Sequence, residues 1–434
     1  MNQTFLDSIH RAHFIGIGGI GVSALVRLML ARGISVSGSD RTSSLITEKL
    51  EMEGAKVFFS HEQKHLPEEL DLVVYSPAIA DDNPELLMAR ERGVLTYSYP
   101  EALGKISQGM RTIAISGTHG KTTTTAMIAG VLVGAKRSPT VIVGSLLKGS
   151  GSNFIGGVSN LFVVEACEYK RSFLSLSPEI LVITNIDNDH LDYYGTIEGV
   201  QKAFTELAEK VPTTGMIVCN PNDPLVAPIL QWAVARVVDY TKGVLMLPLA
   251  VSGEHNKKNA QAALAVARLL DVSEKDAMKS LSMFEGTWRR MEYKGETPSG
   301  ALVYDDYAHH PTEVRATLQG FRARYPVGRI RIVFQPHLYS RTKLLLNDFA
   351  QSFSDADEVI VAPIYAAREK PDPEISAETL VRVISEHHNS VRFGGDFPAI
   401  ETYLRKTVQK GDIMVTMGAG DIYKVGEALV SDSV

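Results

Sequence analysis

One stretch constrains this chain more than any other: Thr112-Ile113-Ala114-Ile115-Ser116-Gly117-Thr118-His119-Gly120-Lys121-Thr122. An apolar strand runs into a glycine loop ending in Gly-Lys-Thr, and a helix-favouring stretch follows. In such a βα unit the N–H groups of the loop and of the helix N-terminus point at an anion, which suits a nucleotide phosphate. Lys121 then reaches the outer phosphates, and the Thr122 hydroxyl is placed to ligate Mg²⁺. The general form of this loop has a glycine five residues before Gly120. Ile115 stands there, and the additional glycine is Gly117, so the loop is a variant.

The rest of the chain repeats the same rhythm. Residues 13–17, 34–38, 56–58 and 72–75 read as strands, with a helix over 22–32, and 100–109 reads as a linker. A second α/β unit starts at Arg111, with strands at 161–164, 180–184 and 216–219 and a helix over 256–270. Residues 284–295 read as the next joint. Strands at 302–304, 330–334, 358–361 and 412–416 follow. Alternating strands and helices give parallel sheets covered by helices. The expectation is an α/β chain of three consecutive domains: 1–105, 106–290 and 291–434.

Composition narrows the function. Lys plus Arg number 44 against 50 for Asp plus Glu. A slightly acidic chain lacks the basic face that nucleic acids and anionic membranes demand. The two cysteines, Cys167 and Cys219, form no CxxC pair, which argues against a disulfide framework or a structural zinc and for a reducing, cytoplasmic setting. Residues 1–10 lack the basic flank and apolar run of a signal peptide. No run reaches the roughly 18 apolar residues of a membrane span, and the apolar run 244–251 is broken by Pro248. Nothing in the chain speaks to its oligomeric state.

Further motifs fall at predicted strand ends, where ligands bind in open α/β sheets. Gly16, Gly18, Gly19 and Gly21 follow the first strand and open its helix, and Asp40 ends the second, where a ribose-binding acid belongs. The pattern fits NAD, but UDP carries the same diphosphate. Glu165 ends the strand 161–164 and can hold Mg²⁺ opposite Thr122. The cluster Asn185 to Asp192 follows the next strand; within it His190 reads as metal ligand, substrate contact or helix cap. Asn256 and Asn259 offer the donor and acceptor that an adenine edge needs, though Asn256 also reads as an N-cap. Asp305 to Pro311 and Gln335 to Thr342 place titratable groups at two strand ends of the last domain. Arg341 there could clamp a carboxylate or a phosphoryl group, or simply be a surface arginine.

The order of these motifs resembles the Mur ligase family, the ATP-dependent amino-acid ligases of peptidoglycan precursor synthesis. Gly117-Thr118-His119-Gly120-Lys121-Thr122-Thr123 is that family's form of the loop. The likeness extends through Glu165-Ala166-Cys167-Glu168-Tyr169, Thr184-Asn185-Ile186 with Asp189-His190, His255-Asn256-x-x-Asn259, and the Asp305 and Arg341 segments. It implies a Rossmann-like UDP-sugar domain, a central P-loop ATPase domain and a Rossmann-like amino-acid domain. It implies ATP and Mg²⁺, with UDP-N-acetylmuramate and L-alanine as substrates joined through an acyl phosphate; a preformed murein peptide is the alternative acceptor. Gly16, Gly18, Gly19, Gly21, Ser76, Pro77, Ala78 and Ile79 would line the UDP pocket. Lys121 would grip the β- and γ-phosphates, Thr122 one Mg²⁺, and Glu165 with His190 a second. Asn256 and Asn259 would face adenine and Asp305 the ribose. His309, Arg341 and His337 would meet the amino acid or the γ-phosphate, with His309 as the base. Two departures stand out: Leu338 where an arginine is expected after Gln335-Pro336-His337, and a short 239–253 segment.

Overall fold

A computed structural model describes residues 5–148, 151–246, 248–251, 253–367 and 369–431. Valine- and isoleucine-rich runs form three sheets in series, and these central strands are buried on both faces, as parallel sheets require. The first sheet holds β1 (Arg11–Ile15), β2 (Ser35–Ser39), β3 (Lys56–Phe58), β4 (Leu72–Tyr75) and β5 (Leu95–Ser98) in the order 3-2-1-4-5. All its pairs are parallel. The order reverses between β1 and β4, the kind of crevice where a ligand settles.

The second sheet holds β6 (Arg111–Ser116), β7 (Thr140–Ile142), β8 (Phe154–Ile155), β9 (Leu161–Glu165), β10 (Ile180–Ile183), β11 (Met216–Cys219) and β12 (Arg236–Asp239). Its order is 12-11-10-6-9-7-8, with only β7–β8 antiparallel. The glycine loop after β6 therefore opens between the ends of β9 and β10. The third sheet holds β13 (Glu292–Glu296), β14 (Leu302–Asp306), β15 (Ile330–Phe334), β16 (Glu358–Val361), β17 (Val391–Phe393) and β18 (Ile413–Met417), in the order 13-14-18-15-16-17. β13 and β14 make an antiparallel pair.

Two compact units form. One comprises Met1–Pro248 and Lys258–Phe284 and carries the first two sheets; the other comprises Leu249–Lys257 and Glu285–Val434 and carries the third. Within the first unit, the fully buried Asn153 ties the two sheets together. Its amide donates to Ser23 Oγ at 2.9 Å and to the Ile20 carbonyl, and it accepts from Arg27 Nη1 at 2.6 Å.

The expected linker at 100–109 needs correction, whereas the joint expected at 284–295 coincides with the boundary between the two units at Phe284 and Glu285. Residues 100–109 are no linker but helix Tyr99–Gln108. Ser98 and Glu101 form a capping box, Pro100 sits in the first turn where its missing N–H costs nothing, and Leu103 and Ile106 are buried. Residues 284–295 also carry the buried Arg289 and the start of the edge strand β13. In the short 239–253 segment, Leu247 and Ser252 lie outside the described residues, as do residues 1–4 of the N-terminal stretch. Both cysteines are free, Cys167 exposed and Cys219 buried. Among the described residues no helix is long and apolar enough to cross a membrane.

Candidate active site

The glycine loop follows β6 directly and ends in helix Lys121–Gly134. Gly117 (φ 130°) and Gly120 (φ 81°) take conformations that side chains resist. Space is denied as well: a Cβ on Gly117 would stand 2.0 Å from Thr184 Oγ1, and one on Gly120 2.5 Å from Asn259 Oδ1. The segment after β10 grips the loop from the side. Thr184 Oγ1 donates to the His119 carbonyl at 2.6 Å, Asn185 Nδ2 to the same oxygen at 3.0 Å, and His119 N to Asn185 Oδ1 at 2.9 Å. Thr118 N donates to the Asn185 carbonyl at 3.0 Å, and Asp187 N to Thr118 Oγ1 at 2.9 Å. His119 Nε2 lies 3.0 Å from Asp187 Oδ2. Tyr240 anchors the clamp, its hydroxyl donating to the Thr184 carbonyl at 2.9 Å. The first residues of the 185–192 cluster thus shape the loop.

Lys121 Nζ donates to the carbonyls of Gly117 (2.6 Å) and Thr118 (2.9 Å) and to Glu168 Oε1 (2.9 Å). Burial pulls its ammonium pKa down, but the neighbouring acidic groups, Glu168 foremost, more than offset this and hold it above the usual lysine range. Thr122 Oγ1 donates to Glu165 Oε1 at 3.0 Å, and Gly144 N donates to Glu165 Oε2 at 2.8 Å. Thr123 is buried in the same first turn. His190, in a left-handed conformation at φ 54°, brings Nε2 to 3.8 Å from both Glu168 Oε1 and Asp189 Oδ2 and packs its ring on Tyr169. A hydroxyl and a carboxylate 3.0 Å apart beside the glycine loop are the hard oxygen donors that suit Mg²⁺. Asn256 and Asn259, both buried, share one face of helix Glu254–Leu269.

At the end of β1, Gly16 turns at φ 81°, and a Cβ there would meet Ser76 Cβ at 2.9 Å. Gly18 N donates to Asp40 Oδ2 at 2.8 Å, and Gly19 N to the Gly16 carbonyl at 3.2 Å. Gly21 lies under the Tyr99 ring, leaving no room for a Cβ. Ala78 is exposed beside the loop, its N–H donating to Ser76 Oγ at 3.3 Å.

In the third sheet the structure gives Asp305 two partners of its own. Asp305 is fully buried; Oδ2 accepts from Arg289 Nε at 2.6 Å and Oδ1 from Thr416 Oγ1 at 2.7 Å. Each oxygen thus accepts one hydrogen bond within the fold, and Asp305 anchors Arg289. Arg289 also donates to the carbonyls of Gly418 and Gly420 and lies among the rings of Trp288, Tyr307 and Tyr423. His309, His337 and Arg341 do come together. Arg341 Nη1 is 3.1 Å from His337 Nδ1, and the two imidazole rings are 5.6 Å apart. His309 Nδ1 faces the Tyr307 carbonyl at 2.9 Å and Glu313 Oε2 at 3.3 Å. Leu338 is buried at φ 69°, turning an apolar side chain inward where an arginine was expected.

Three family models match in series: "Mur ligase family, catalytic domain" over 11–111, "Mur ligase middle domain" over 115–243 and "Mur ligase, glutamate ligase domain" over 289–420. The chain belongs to the Mur ligase family. Among its Mur ligase relatives, the UDP-N-acetylmuramate--L-alanine ligase of Clostridium kluyveri is 41% identical across 96% of this chain and 97% of that protein. The enzyme of the same name from Clostridium acetobutylicum is 40% identical across 98% of each. The solved UDP-N-acetylmuramate-alanine ligase MurC of Thermotoga maritima superposes with a TM-score of 0.80 at 29% identity, across 98% of this chain and 99% of that one. A murein peptide ligase from Psychrobacter arcticus superposes with a TM-score of 0.70 at 25% identity, across 97% and 98%.

Three residues that the sequence leaves without a part acquire one: Glu168 and Tyr99 beside the glycine loops of the first unit, and Arg289 inside the second. Glu168 was part of a quoted motif, but only the strand-end Glu165 carried a role; an acid three residues on is unremarkable until the backbone turns it toward Lys121. Tyr99 directly precedes the segment read as a linker, and Arg289 lies inside the one read as a joint. The neighbouring Trp288 was the available signal; the Tyr307 and Tyr423 rings reach Arg289 only in the fold.

Proposed function

We propose that this chain is an ATP-dependent ligase that joins L-alanine to the lactyl carboxylate of UDP-N-acetylmuramate, a cytoplasmic step of peptidoglycan precursor synthesis. The observation that carries the reading is the Gly117–Thr122 loop, with Lys121 set against Glu168 and Thr122 against Glu165. The full-length similarity to ligases of that name supports the substrate pair.

A free carboxylate is a poor acyl donor, because oxide would have to leave. Its oxygen therefore attacks the γ-phosphorus of ATP, ADP departs, and an acyl phosphate forms. The uncharged amine of L-alanine then adds to the acyl carbon, and phosphate leaves from the tetrahedral intermediate. No side-chain nucleophile is required; the protein aligns the reactants and balances charge. Lys121 meets the outer phosphates, moving from the loop carbonyls and Glu168 to the incoming anion. Thr122 would hold one Mg²⁺ and Glu165 with His190 a second; when bound, these ions would neutralise phosphate charge. Asn256 and Asn259 read the adenine edge. The Gly16–Gly21 loop, Asp40, Ser76 and Ala78 hold the UDP-sugar. Arg341 clamps the carboxylate of L-alanine. His309 takes the amine proton: Nδ1 donates to the Tyr307 carbonyl, which leaves Nε2 as the basic nitrogen.

The test is phosphate release from ATP with Mg²⁺ and UDP-N-acetylmuramate, comparing L-alanine, glycine, L-serine and the L-Ala-γ-D-Glu-meso-diaminopimelate tripeptide. Release that requires both the sugar nucleotide and L-alanine is expected. Preference for the tripeptide would assign the chain to peptide recycling instead, and release independent of the sugar nucleotide would overturn the reading.

A further inference from the structure

A buried carboxylate outside the reacting groups lies behind the glycine loop of the first sheet. Glu85, in the first turn of helix Pro84–Glu91, is fully buried. His13 on β1 brings Nε2 to 3.6 Å from Glu85 Oε2, and His61 brings Nδ1 to 3.5 Å from the same oxygen. His65 Nδ1 is 3.1 Å from Oε1, and Glu62 N donates to that atom at 3.3 Å. Ser39, the last residue of β2, donates its hydroxyl to Oε2 at 2.5 Å. Burial works against the charged form, but His13, Ser39 and His65 outweigh it and keep the carboxyl below the usual glutamate range. His13 and His61 each keep a buried Nε2 with no hydrogen-bond partner among the described residues. Such a cluster costs stability relative to an apolar core of the same volume. Nothing in the sheet alone calls for it.

What it does reach is the loop. The carbonyl of Ser39 accepts from Gly16 N at 2.8 Å and from Ile17 N at 3.0 Å. The next residue, Asp40, accepts from Gly18 N at 2.8 Å. The two-residue segment that Glu85 grips by one hydroxyl therefore suspends three consecutive N–H groups of the loop. We propose that Glu85 is a positioning residue for the sugar nucleotide: through Ser39 it fixes the height at which the Gly16–Gly21 loop meets the diphosphate. The inference rests on the reading that this loop holds UDP.

Steady-state kinetics of the intact enzyme test it. Glu85→Gln should raise KM for UDP-N-acetylmuramate about tenfold, the weight of one charge-assisted hydrogen bond, with kcat and KM for ATP within about twofold of wild type. Ser39→Ala, which removes only the coupling hydroxyl, should shift the same KM in the same direction and serves if Glu85→Gln does not accumulate folded. A purely structural role would lower the active fraction, hence the apparent kcat, and leave both KM values in place; that result in both variants overturns the proposal. Gly21→Ala separates the two readings, since its Cβ would stand 2.8 Å from Tyr99 Cζ inside the loop itself. If Gly21→Ala raises the sugar-nucleotide KM while the Glu85 and Ser39 variants do not, the positioning role alone fails. If none of the three moves it, the assignment of UDP to this loop fails.

Discussion

Replacing Glu168 by Gln tests how Lys121, at the end of the glycine loop, is held in the absence of nucleotide. The side chains of Lys121 and Glu168 are only 14% and 3% exposed, and Nζ stands 2.9 Å from the carboxylate. At an effective dielectric of about 20, unit charges at that distance attract by about 6 kcal/mol, much of it offset by the cost of desolvating both groups. Removing one partner of such a pair leaves the other charge buried and typically costs about 3–5 kcal/mol. Glutamine keeps an acceptor near Nζ, and the Gly117 and Thr118 carbonyls remain, so the lower end, about 3 kcal/mol, is expected. At about 2 °C per kcal/mol for a unit of this size, Tm without nucleotide should fall by about 6 °C. Nucleotide phosphates then supply the missing anion. ATP should therefore raise the Tm of Glu168→Gln by more than it raises that of the wild type, because a ligand stabilises in proportion to its preference for the folded state. Differential scanning fluorimetry with and without ATP reads both numbers. A nucleotide-free Tm within about 1 °C of wild type would refute the charge-pair reasoning; equal ATP shifts in the two proteins would refute the exchange of carboxylate for phosphate.

Further outcomes follow from other sites. Gly117→Ala would drive a Cβ to 2.0 Å from Thr184 Oγ1; displacement of the loop should cut kcat/KM for ATP by about a hundredfold or more with circular dichroism unchanged, and a wild-type rate would show the loop is not held as described. Asp306 is buried and its pKa is pushed from 3.8 up to about 6, chiefly by desolvation. Folded protein thus holds this proton more tightly than unfolded chain, so the stability it lends at low pH is lost as pH rises through about 6, by about 3 kcal/mol in all. Denaturant melts of wild type and Asp306→Asn between about pH 3 and pH 7 should show their stability difference moving by that amount in favour of the variant, and a constant difference would contradict it. Arg331 is fully buried, bonded to Glu358 at 2.7 Å, Asp412 at 3.3 Å and Thr407 at 2.7 Å. Arg331→Met should cost about 3–5 kcal/mol, and adding Glu358→Leu should recover part of it; a double variant less stable than the single would argue against a charge-pair origin.

The legible parts of the fold were those with a strong local signal. The interior strands β4, β11, β15 and β16 were read to the residue, because a buried parallel strand must be apolar at successive positions. The strands passed over, β5, β7, β8, β12, β13 and β17, are short and, apart from β7, sit at sheet edges. There one neighbour is solvent or loop, so the pattern weakens to two to five mixed residues. Helix Tyr99–Gln108 was misread because Pro100 and Gly104 suggest a break. Pro100 is harmless in the first turn, and Gly104 is there because the Ser175 carbonyl would stand 2.3 Å from any Cβ.

The sequence by itself determined the chemistry that depends on neighbours along the chain. A strand, a glycine loop and a helix N-terminus make a phosphate cradle wherever they occur, since the donors are backbone N–H groups. Apart from Thr122 with Glu165, which the strand-end position already suggests, pairings between remote segments were decided only by the tertiary structure: Lys121 with Glu168, Asn185 with the His119 peptide, Arg289 with Asp305, and Glu85 with its histidines. The physical reason is that a charged or hydrogen-bonding side chain has no preference of its own among partners tens of residues away. Sheet order selects the partner, by bringing particular strand ends to one edge and excluding the water that would otherwise compete.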